Sequence, residues 1–384
     1  MNILHISTEK KWRGGENQLC NLLSQSDPTK YKHHILLHKK ANFSERFKAL
    51  GTVHLMAMLN DLDLFSAWRI ARLCLKNNIQ IIHAHTAKGH GLAILSKKIA
   101  NVFGLHLKLI VHRRVEQSSN LSWIRRKKYI SGTVDHYIAV SKAISEGLVN
   151  IGVPAAKISV IYSSIDESPY INRIGLRPIS RRNLLIGDQP SKNQSKALDL
   201  EQPIIFCFIG AVEPLKGVHD LIAAWENLLS HLHSKGLETV AEKCRLFIVG
   251  EGSLLEELKL KKPRNTQFLG FRKDVSQILC GCDVLVLPTH WEGLGSILID
   301  GALAGAALIG SNVGGVPEII ENEVTGLLTP VSDLKSLEHA MYRCLDLPFR
   351  KSLAETARPM IKSKFSVSRM IDQTQRVYRK ISGQ

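Results

Sequence analysis

The chain has 384 residues, of which 44% are hydrophobic and 22% charged, and it carries a formal net charge of +17. That length exceeds what one hydrophobic core usually organises, so we predict two domains. No apolar stretch approaches the roughly 18 residues that a bilayer span needs, and the first residues lack the pattern of a secretory signal. These features predict a soluble cytoplasmic protein.

The seven cysteines are scattered along the chain, and several lie inside apolar runs such as 205–208. This usage is typical of reduced thiols in a protein core. The spacing of Cys280 and Cys282 matches neither a zinc knuckle nor a thioredoxin-like pair, so we predict no metal or redox chemistry there.

In the first half of the chain, short apolar runs alternate with segments of helical periodicity. Such alternation predicts βαβ units and a parallel sheet. Ser141 follows a predicted strand and precedes a helical pattern, so we predict that it caps that helix. The predicted strands are 3–6, 34–37, 79–82, 107–111 and 136–140, with helices that include 66–75 and 91–102.

The alternation stops between residues 166 and 202, where Pro169, Pro178 and Pro190 accompany a polar run. We predict an interdomain linker with a flexible insertion there. The same rhythm resumes at 204–209 and indicates a second α/β domain. The predicted organisation is a first domain at 1–165, a linker at 166–202, a second domain at 203–365, and a C-terminal helix at 366–384 that packs back on the first domain. A ligand cleft is expected between the two domains.

The most informative segment is 289–305, which lies between the apolar runs 284–288 and 306–309 and so forms a strand-to-helix corner. Parallel sheets bind ligands beyond the carboxyl ends of their strands, where helix N-termini present amide groups. The backbone amides of Gly293, Leu294 and Gly295 suit a diphosphate. The carboxylates of Glu292 and Asp300 suit sugar hydroxyls, so this corner predicts a sugar-nucleotide site.

Two glycine-containing turns follow strands elsewhere. Lys216 precedes Gly217 at a predicted helix start, where an ammonium group can meet a phosphate. Gly14 and Gly15 lie between the first strand and the first helix, where consecutive glycines let amides surround an anion. Taken singly, each has an ordinary explanation as a surface lysine or a loop glycine. Together with the 292–300 segment they indicate a diphosphate site.

Three histidines, His83, His85 and His112, lie at the ends of predicted strands. Their imidazole groups can donate hydrogen bonds to a sugar hydroxyl or a phosphate. Three histidines can also bind a metal ion, but no acidic residue accompanies them at ligand spacing. We therefore predict contacts with substrate and no metal site.

Basic residues cluster between 97 and 128, and Trp123 and Tyr129 flank the run 125–128. A solvated face that keeps the protein soluble is one interpretation of such a run. The mixture also suits an anionic membrane surface, where each nearby cation contributes about 1 kcal/mol; nucleic acid is a weaker candidate. The predicted acceptor- or membrane-contacting set is His85, Arg113, Arg125, Arg126, Lys127 and Lys128.

These segments together resemble the family-4 glycosyltransferases, which are retaining nucleotide-sugar transferases of the GT-B fold. The resemblance covers nearly the whole chain apart from the insertion, and it implies two Rossmann-like domains that face a central cleft. The matching segments are 14–16, 83–86, 112, 139–142, 157–161, 215–217, 249–252, 268–270, 292–305 and 314–318.

The resemblance also implies roles for individual residues. The position of Glu292 contacts the transferred sugar, and that of Asp300 holds the ribose hydroxyls. The remaining implied roles are diphosphate neutralisation for Lys216, a place beneath the diphosphate for Gly15, proximity to the anomeric carbon for His112, and a border to the base for Gly270, Phe271 and Arg272.

Three positions depart from the family pattern. One is the segment 162–166, where Tyr-Ser-Ser-Ile-Asp replaces the usual Asn-Gly-Ile-Asp. Asp300 stands where the family usually has glutamate, whose side chain is one methylene longer. Ala211 stands where many members have an arginine for the diphosphate. Lys216 would then carry more of the diphosphate's charge.

The resulting hypothesis is a retaining glycosyltransferase that moves a hexose from a nucleoside diphosphate to a glycan or lipid-linked, lipopolysaccharide-type acceptor at the inner face of a membrane. Lys216, the Gly15 turn and the amides of 293–295 would stabilise the leaving group without a metal or other cofactor. The resemblance implies front-face attack, with the departing phosphate accepting the acceptor's proton. The alternatives are a nucleotide-sugar epimerase or phosphorylase of the same fold, and a non-catalytic polyanion-binding protein, for which the charge is the argument.

Overall fold

The computed structural model describes residues 1–12, 14–114, 123–186 and 203–383, with the backbone alone at 123–125 and 186. The chain divides into two compact units. The first consists of Met1–Ile165 and Phe365–Gln384, and the second of Asp166–Lys364.

The first unit contains a seven-stranded parallel sheet, in the order β3-β2-β1-β4-β5-β6-β7. Its inner strands are buried on both faces because helices cover the sheet on each side. The strands are Asn2–Ser7 (β1), Lys32–His38 (β2), Thr52–Met56 (β3), Ile81–Ala84 (β4), Lys108–Arg113 (β5), His136–Ala139 (β6) and Ile158–Val160 (β7). The helices are Gly14–Ser24 (α1), Leu64–Lys76 (α2), Ala87–Val102 (α3), Trp123–Ile130 (α4) and Lys142–Asn150 (α5).

Side chains cap helices of this unit, and one of these caps, at Ser141, was predicted from the sequence. The Ser141 hydroxyl accepts a hydrogen bond from the Ile144 amide at 3.1 Å, which confirms the predicted cap of α5. Asp63 caps α2 in the same way by accepting from the Ser66 amide at 2.9 Å. Such caps satisfy amide groups that the first helical turn leaves unpaired.

The second unit contains a six-stranded parallel sheet, in the order β10-β9-β8-β11-β12-β13. All strands run the same way, so their carboxyl ends share one edge. The strands are Ile204–Ile209 (β8), Cys244–Val249 (β9), Thr266–Gly270 (β10), Val284–Leu287 (β11), Ala307–Ser311 (β12) and Leu327–Thr329 (β13). The helices are Arg173–Ile186 (α6), Val218–Ser234 (α7), Glu238–Lys243 (α8), Leu255–Leu260 (α9), Val275–Gly281 (α10), Ser296–Ala304 (α11), Leu334–Arg343 (α12) and Leu347–Lys364 (α13).

The predicted linker is partly wrong, because Ser168–Tyr170 forms a 3-10 turn and α6 belongs to the second unit. Arg177 and Arg181 on α6 both pair with the buried carboxylate of Asp283, which precedes β11. One face of the helix thus makes ion pairs in place of apolar contacts, which explains its weak apolar periodicity. The predicted flexible insertion falls on residues 187–202, which lie outside the described residues.

A last helix, Val367–Ser382 (α14), belongs to the first unit. Its buried face packs with Ile3, Ile81 and Ile110 of the first sheet. The hydroxyl of Tyr378 lies 2.8 Å from His83 Nδ1. Among the described helices, none is both long and apolar enough to cross a membrane.

Candidate active site

Lys216 and Glu292 lie in contact at the carboxyl edge of the second sheet. Lys216 follows β8 and Glu292 follows β11, and these strands are neighbours. The Lys216 ammonium group donates to Glu292 Oε2, and both side chains remain about one quarter exposed, at 25% and 21%. The structure therefore brings together an acid and a base that the sequence assigned to one site from separate motifs.

Two glycines allow neighbouring loops to approach the 288–295 loop. A Cβ atom on Gly217 would lie 1.8 Å from the Pro288 carbonyl oxygen, and one on Gly314 would lie 2.0 Å from that of Glu292. Both glycines also have positive φ, at 65° and 56°, which disfavours other residues. These contacts hold the Glu292 loop against the Lys216 turn.

The N-terminus of α11 follows the Glu292 loop directly. Gly295 precedes the helix with φ of 84°, and Leu294 is 4% exposed. The Gly293 amide donates to Glu292 Oε1 at 3.2 Å, which orients the carboxylate. A helix start of this kind carries partial positive charge and suits a phosphate group.

Asp300 lies in the second turn of α11, where it accepts a hydrogen bond from the Tyr170 hydroxyl at 2.7 Å. Burial raises the pKa of Asp300 to about 7, and the Tyr170 hydrogen bond opposes that shift. Tyr170 is itself buried, and burial together with Asp300 raises its pKa. Sequence reasoning missed Tyr170, because it lies 130 residues from Asp300 in the region predicted as a linker.

We expect nucleotide affinity to depend on the ionisation of Asp300. If ribose hydroxyls donate to this carboxylate, binding should tighten by up to about tenfold as pH rises through about 7. Folding stability should change in the opposite sense. Because its pKa is higher in the folded protein, Asp300 contributes to the free energy of unfolding. This contribution is fully present below about pH 3.9, the pKa of the unfolded chain, and is lost as pH rises through about 7.

Calorimetry with a nucleoside diphosphate across this pH range tests the expectation. Asp300→Asn should remove the pH dependence. Tyr170→Phe should move its midpoint to higher pH, because the hydrogen bond that lowers the Asp300 pKa is lost. A flat profile for the unmodified protein would contradict the role of Asp300.

The predicted base-binding residues follow β10 at the same edge of the second sheet. Gly270 ends the strand with φ of 62°, and its carbonyl oxygen accepts from the Gly250 amide at 2.8 Å. Arg272 donates two hydrogen bonds to Asp274, at 2.8 and 2.7 Å, and Phe271 is 63% exposed. An exposed ring beside a fixed guanidinium group can stack on a base. Base binding by Phe271 and Arg272 stays a prediction.

In the first unit, the Gly15 turn starts α1 beneath an arginine that the sequence did not single out. A Cβ atom on Gly15 would lie 3.2 Å from Arg114 Nη1. The same nitrogen donates to the His85 carbonyl oxygen at 3.1 Å. Burial lowers the pKa of Arg114 to about 10, so it stays protonated at neutral pH. A cation thus lies against the predicted diphosphate turn.

Arg114 also begins a chain of hydrogen bonds between buried histidines. Its Nη2 lies 3.4 Å from His85 Nδ1, and the chain continues through His85 Nε2 to His5 at 3.1 Å, His5 to His33 at 3.0 Å, and His33 to Ser26 at 2.9 Å. Burial lowers the pKa of all three histidines, so they are neutral. Because a guanidinium group can only donate, each ring accepts at Nδ1 and donates from Nε2. His85, predicted at the substrate rim, is therefore buried beneath Arg114 and fixes its position.

His5, His83 and His85 are also the described residues that could hold a metal ion, since their ring nitrogens lie within 4.8 Å of one another. His83 Nε2 is buried without a hydrogen-bond partner among the described residues. The contact with Arg114, however, places a proton on His85 Nε2, the atom that faces His5. This tautomer opposes metal binding by the pair, so the arrangement favours hydrogen bonding over coordination.

His112 lies beside this cluster, stacked on His83 with ring centroids 5.7 Å apart. It is 7% exposed, and neither ring nitrogen has a hydrogen-bond partner among the described residues. Burial and Arg114 lower its pKa, so the ring is neutral. A buried imidazole with both nitrogens available is the feature expected of a group that meets a ligand.

The basic set is dispersed by the fold. Arg113 is 5% exposed, and its guanidinium group lies 5.3 Å from the Tyr129 ring centroid. Its predicted contact with acceptor or membrane is wrong, because strand alternation turns it to the face opposite His112 and Arg114. Lys128 pairs with Asp61 at 3.1 Å, and Arg126 donates to the Ile151 carbonyl oxygen at 2.9 Å. Arg126 and Lys127 are exposed, and the side chain of Arg125 lies outside the described residues.

Two family models match nearly the whole chain. "Glycosyltransferase Family 4" matches residues 12–168, and "Glycosyl transferases group 1" matches residues 189–360. With the two parallel-sheet units, these matches define a glycosyltransferase. The chain belongs to family 4 of these enzymes and has the GT-B fold, which confirms the family, fold and enzyme class predicted from the sequence. The family matches therefore favour a transferase over the epimerase, phosphorylase and polyanion-binding alternatives.

Similar proteins agree with this assignment. N-acetyl-alpha-D-glucosaminyl L-malate synthase of Bacillus anthracis is 23% identical, over 82% of this chain and 78% of the relative. UDP-Gal:alpha-D-GlcNAc-diphosphoundecaprenol alpha-1,3-galactosyltransferase of Escherichia coli is also 23% identical, over 82% and 79%. The crystal structure of Anabaena HepE with UDP-glucose superposes with a TM-score of 0.79 at 19% identity, over 99% and 100% of the two chains.

Proposed function

We propose that the protein is a retaining glycosyltransferase that moves a sugar from a nucleoside diphosphate to a glycan or lipid-linked, lipopolysaccharide-type acceptor of the cell envelope. The contact between Lys216 and Glu292 carries the proposal, because it joins a phosphate-binding cation to a sugar-binding acid. The relatives support both substrates. HepE was crystallised with UDP-glucose, and the Escherichia coli relative is named for a diphosphoundecaprenol acceptor.

The reaction breaks the bond between the anomeric carbon and the phosphate oxygen and forms one to the acceptor hydroxyl oxygen. Negative charge then develops on the departing diphosphate. Lys216 and the amides at the start of α11 would stabilise that charge, while Glu292 turns from Lys216 to the sugar hydroxyls. The departing phosphate oxygen takes the acceptor's proton, so the step needs neither a protein base nor a metal ion.

The acceptor chemistry also carries our proposal for where the protein acts. A lipid-linked acceptor is held in a membrane, so a cytoplasmic enzyme would have to reach it at the inner face. We therefore propose peripheral association with an anionic membrane surface.

A panel of nucleoside diphosphate sugars in thermal-shift measurements tests the donor assignment. A donor present at 100 times its dissociation constant should stabilise the protein by about 2.7 kcal/mol. Transfer to a lipid-linked acceptor in the presence of EDTA should then give a product whose anomeric configuration, read by NMR, equals that of the donor. An inverted product would contradict retention, and activity lost to EDTA and restored by a divalent cation would contradict metal independence.

A further inference from the structure

One surface of the first unit concentrates exposed apolar side chains. Between residues 55 and 68, six large apolar residues are each more than one third exposed. They lie on the edge strand β3, on the loop that follows it, and on the first turns of α2. The six are Leu55 (52% exposed), Leu59 (77%), Leu62 (75%), Leu64 (66%), Phe65 (67%) and Trp68 (39%). We call this set, together with Arg69, Arg72 and Lys76, the β3–α2 surface.

The cations of this surface lie beside its aromatic rings. Phe65 and Trp68 stack with centroids 6.2 Å apart. The Arg69 guanidinium lies 5.9 Å from the Phe65 centroid, and that of Arg72 lies 4.9 Å from Trp68. These two arginines, with Lys76, line a groove of about 640 Å³ between β3 and α2. The surface is therefore both apolar and positively charged.

The nearby acids do not neutralise these cations. Asp61 pairs with Lys128, and the Asp63 carboxylate accepts from the amides of Ser66 and Leu59, at 2.9 and 3.2 Å. Lys88 donates to the Leu59 carbonyl oxygen at 3.0 Å, so Lys88 and Lys128 both hold the loop that carries the exposed leucines. The loop is held in place with its apolar side chains exposed.

The order of residues along α2 matches the cross-section of a membrane surface. The exposed leucines and Phe65 lie at the start of the helix, Trp68 follows, and Arg69, Arg72 and Lys76 come after it. From Phe65 to Arg72 the helix rises about 10 Å, comparable to the depth to which interfacial helices bury their apolar face. Aromatic rings at the headgroup level and cations at the phosphates are typical of this environment.

We propose that the β3–α2 surface docks the enzyme on an anionic membrane, with Leu62, Phe65 and Trp68 entering the lipid and Arg69 and Arg72 binding lipid phosphates. This inference rests on the lipid-linked acceptor of the proposed function. It transfers the predicted membrane contact from residues 125–128, where Lys128 is paired internally, to a different element. A partner strand added to β3, or a second copy of the chain, would be the competing occupant of the groove.

Flotation with vesicles of phosphatidylcholine, with and without phosphatidylglycerol, tests the proposal. The unmodified protein should float with the anionic vesicles. L62S/F65S should lower the bound fraction at least about tenfold, and R69Q/R72Q should remove the preference for anionic lipid. V102S/F103S, at an equally exposed apolar pair on the same unit, is the matched control and should float like the unmodified protein. R126Q/K127Q should also change little.

Phe65→Trp supplies a readout that a folding defect would not imitate. The tryptophan fluorescence of this variant should shift to the blue when anionic vesicles are added, and brominated lipid should quench it. Failure of the unmodified protein to float, or normal flotation of L62S/F65S, would overturn the proposal. So would a self-association, seen by light scattering without lipid, that L62S/F65S abolishes. Vesicle binding needs neither donor nor acceptor. Vesicle binding can therefore fail while sugar transfer succeeds, and sugar transfer can fail while vesicle binding succeeds.

Discussion

Lys216→Ala should lower kcat/KM for the nucleotide-sugar donor by about 10²- to 10³-fold, because loss of one group that stabilises developing negative charge has about this effect in other enzymes. Lys216 has no second predicted cation beside it in the second unit, since Ala211 replaces the family's usual arginine. Lys216→Arg should retain more activity than Lys216→Ala because it keeps the charge. Steady-state transfer rates measure both variants.

A second substitution separates catalysis from folding. If the contact of Lys216 with Glu292 only stabilised the unit, K216A/E292Q would recover part of the loss seen in each single variant, because no unpaired charge remains. We expect the double variant to be at least as impaired as the worse single one, since each side chain has its own ligand contact. K261A/E257Q, which removes an exposed ion pair of the same unit, is the matched control. Undiminished turnover in both Lys216→Ala and Glu292→Ala would end the assignment.

Arg114→Ala should weaken binding of a nucleoside diphosphate by about 30- to 100-fold while leaving binding of the free nucleoside nearly unchanged. The guanidinium group lies against the Gly15 turn, where the family resemblance implies the diphosphate. Two unit charges about 4 Å apart attract by about 4 kcal/mol at an effective dielectric constant near 20, before desolvation is subtracted. Calorimetry with the two ligands measures the difference.

The control for this variant is Arg46→Ala, a surface arginine of the same unit that stacks on Trp12 with its Cζ atom 4.5 Å from the ring centroid. It should bind both ligands normally. Equal losses for nucleoside and nucleoside diphosphate in Arg114→Ala would show that the histidine chain had collapsed, and they would contradict a direct role in diphosphate binding. Arg114→Lys should recover part of the affinity only if charge is what matters.

The sequence places Lys216 and Glu292 in one site because each lies in a loop that follows a strand of the second sheet. Parallel strands bring all such ends to one edge, so Lys216 and Glu292 needed no long-range information to be placed together. Tyr170 could not be found in this way. Its contact with Asp300 depends on how the 3-10 turn before α6 packs, and the prolines of that region pointed to a linker.

In the first unit the sequence singled out Arg113, which is buried, and not Arg114, which lies against the Gly15 turn, although a signal was present. Residues two apart on a strand share a face, so His112 and Arg114 belong together and Arg113 belongs to the opposite face. The membrane contact predicted for the basic run 125–128 also depended on local sequence alone. Local charge density was visible, but the pairing of Lys128 with Asp61 depends on packing of α4 against the loop before α2, which is distant in sequence.

The edge strand β3 and the exposed loop after it were not predicted. Thr52–Met56 is short and carries a histidine, so its alternation is weak. The first helix beyond it was predicted two residues late. The β3–α2 surface therefore could not be predicted from the sequence, because it is defined by the exposed fractions of its side chains.

The position of α14 constrains the order in which the chain becomes stable during synthesis. The first unit's strands are all made by residue 160, yet Val377 and Tyr378 complete their core. A ribosome would have to synthesise α14 before that core is covered, whereas the second unit is complete at Lys364. A fragment that stops before residue 365 would therefore hold every strand of the first sheet and still lack the apolar side chains that pack on Ile3, Ile81 and Ile110.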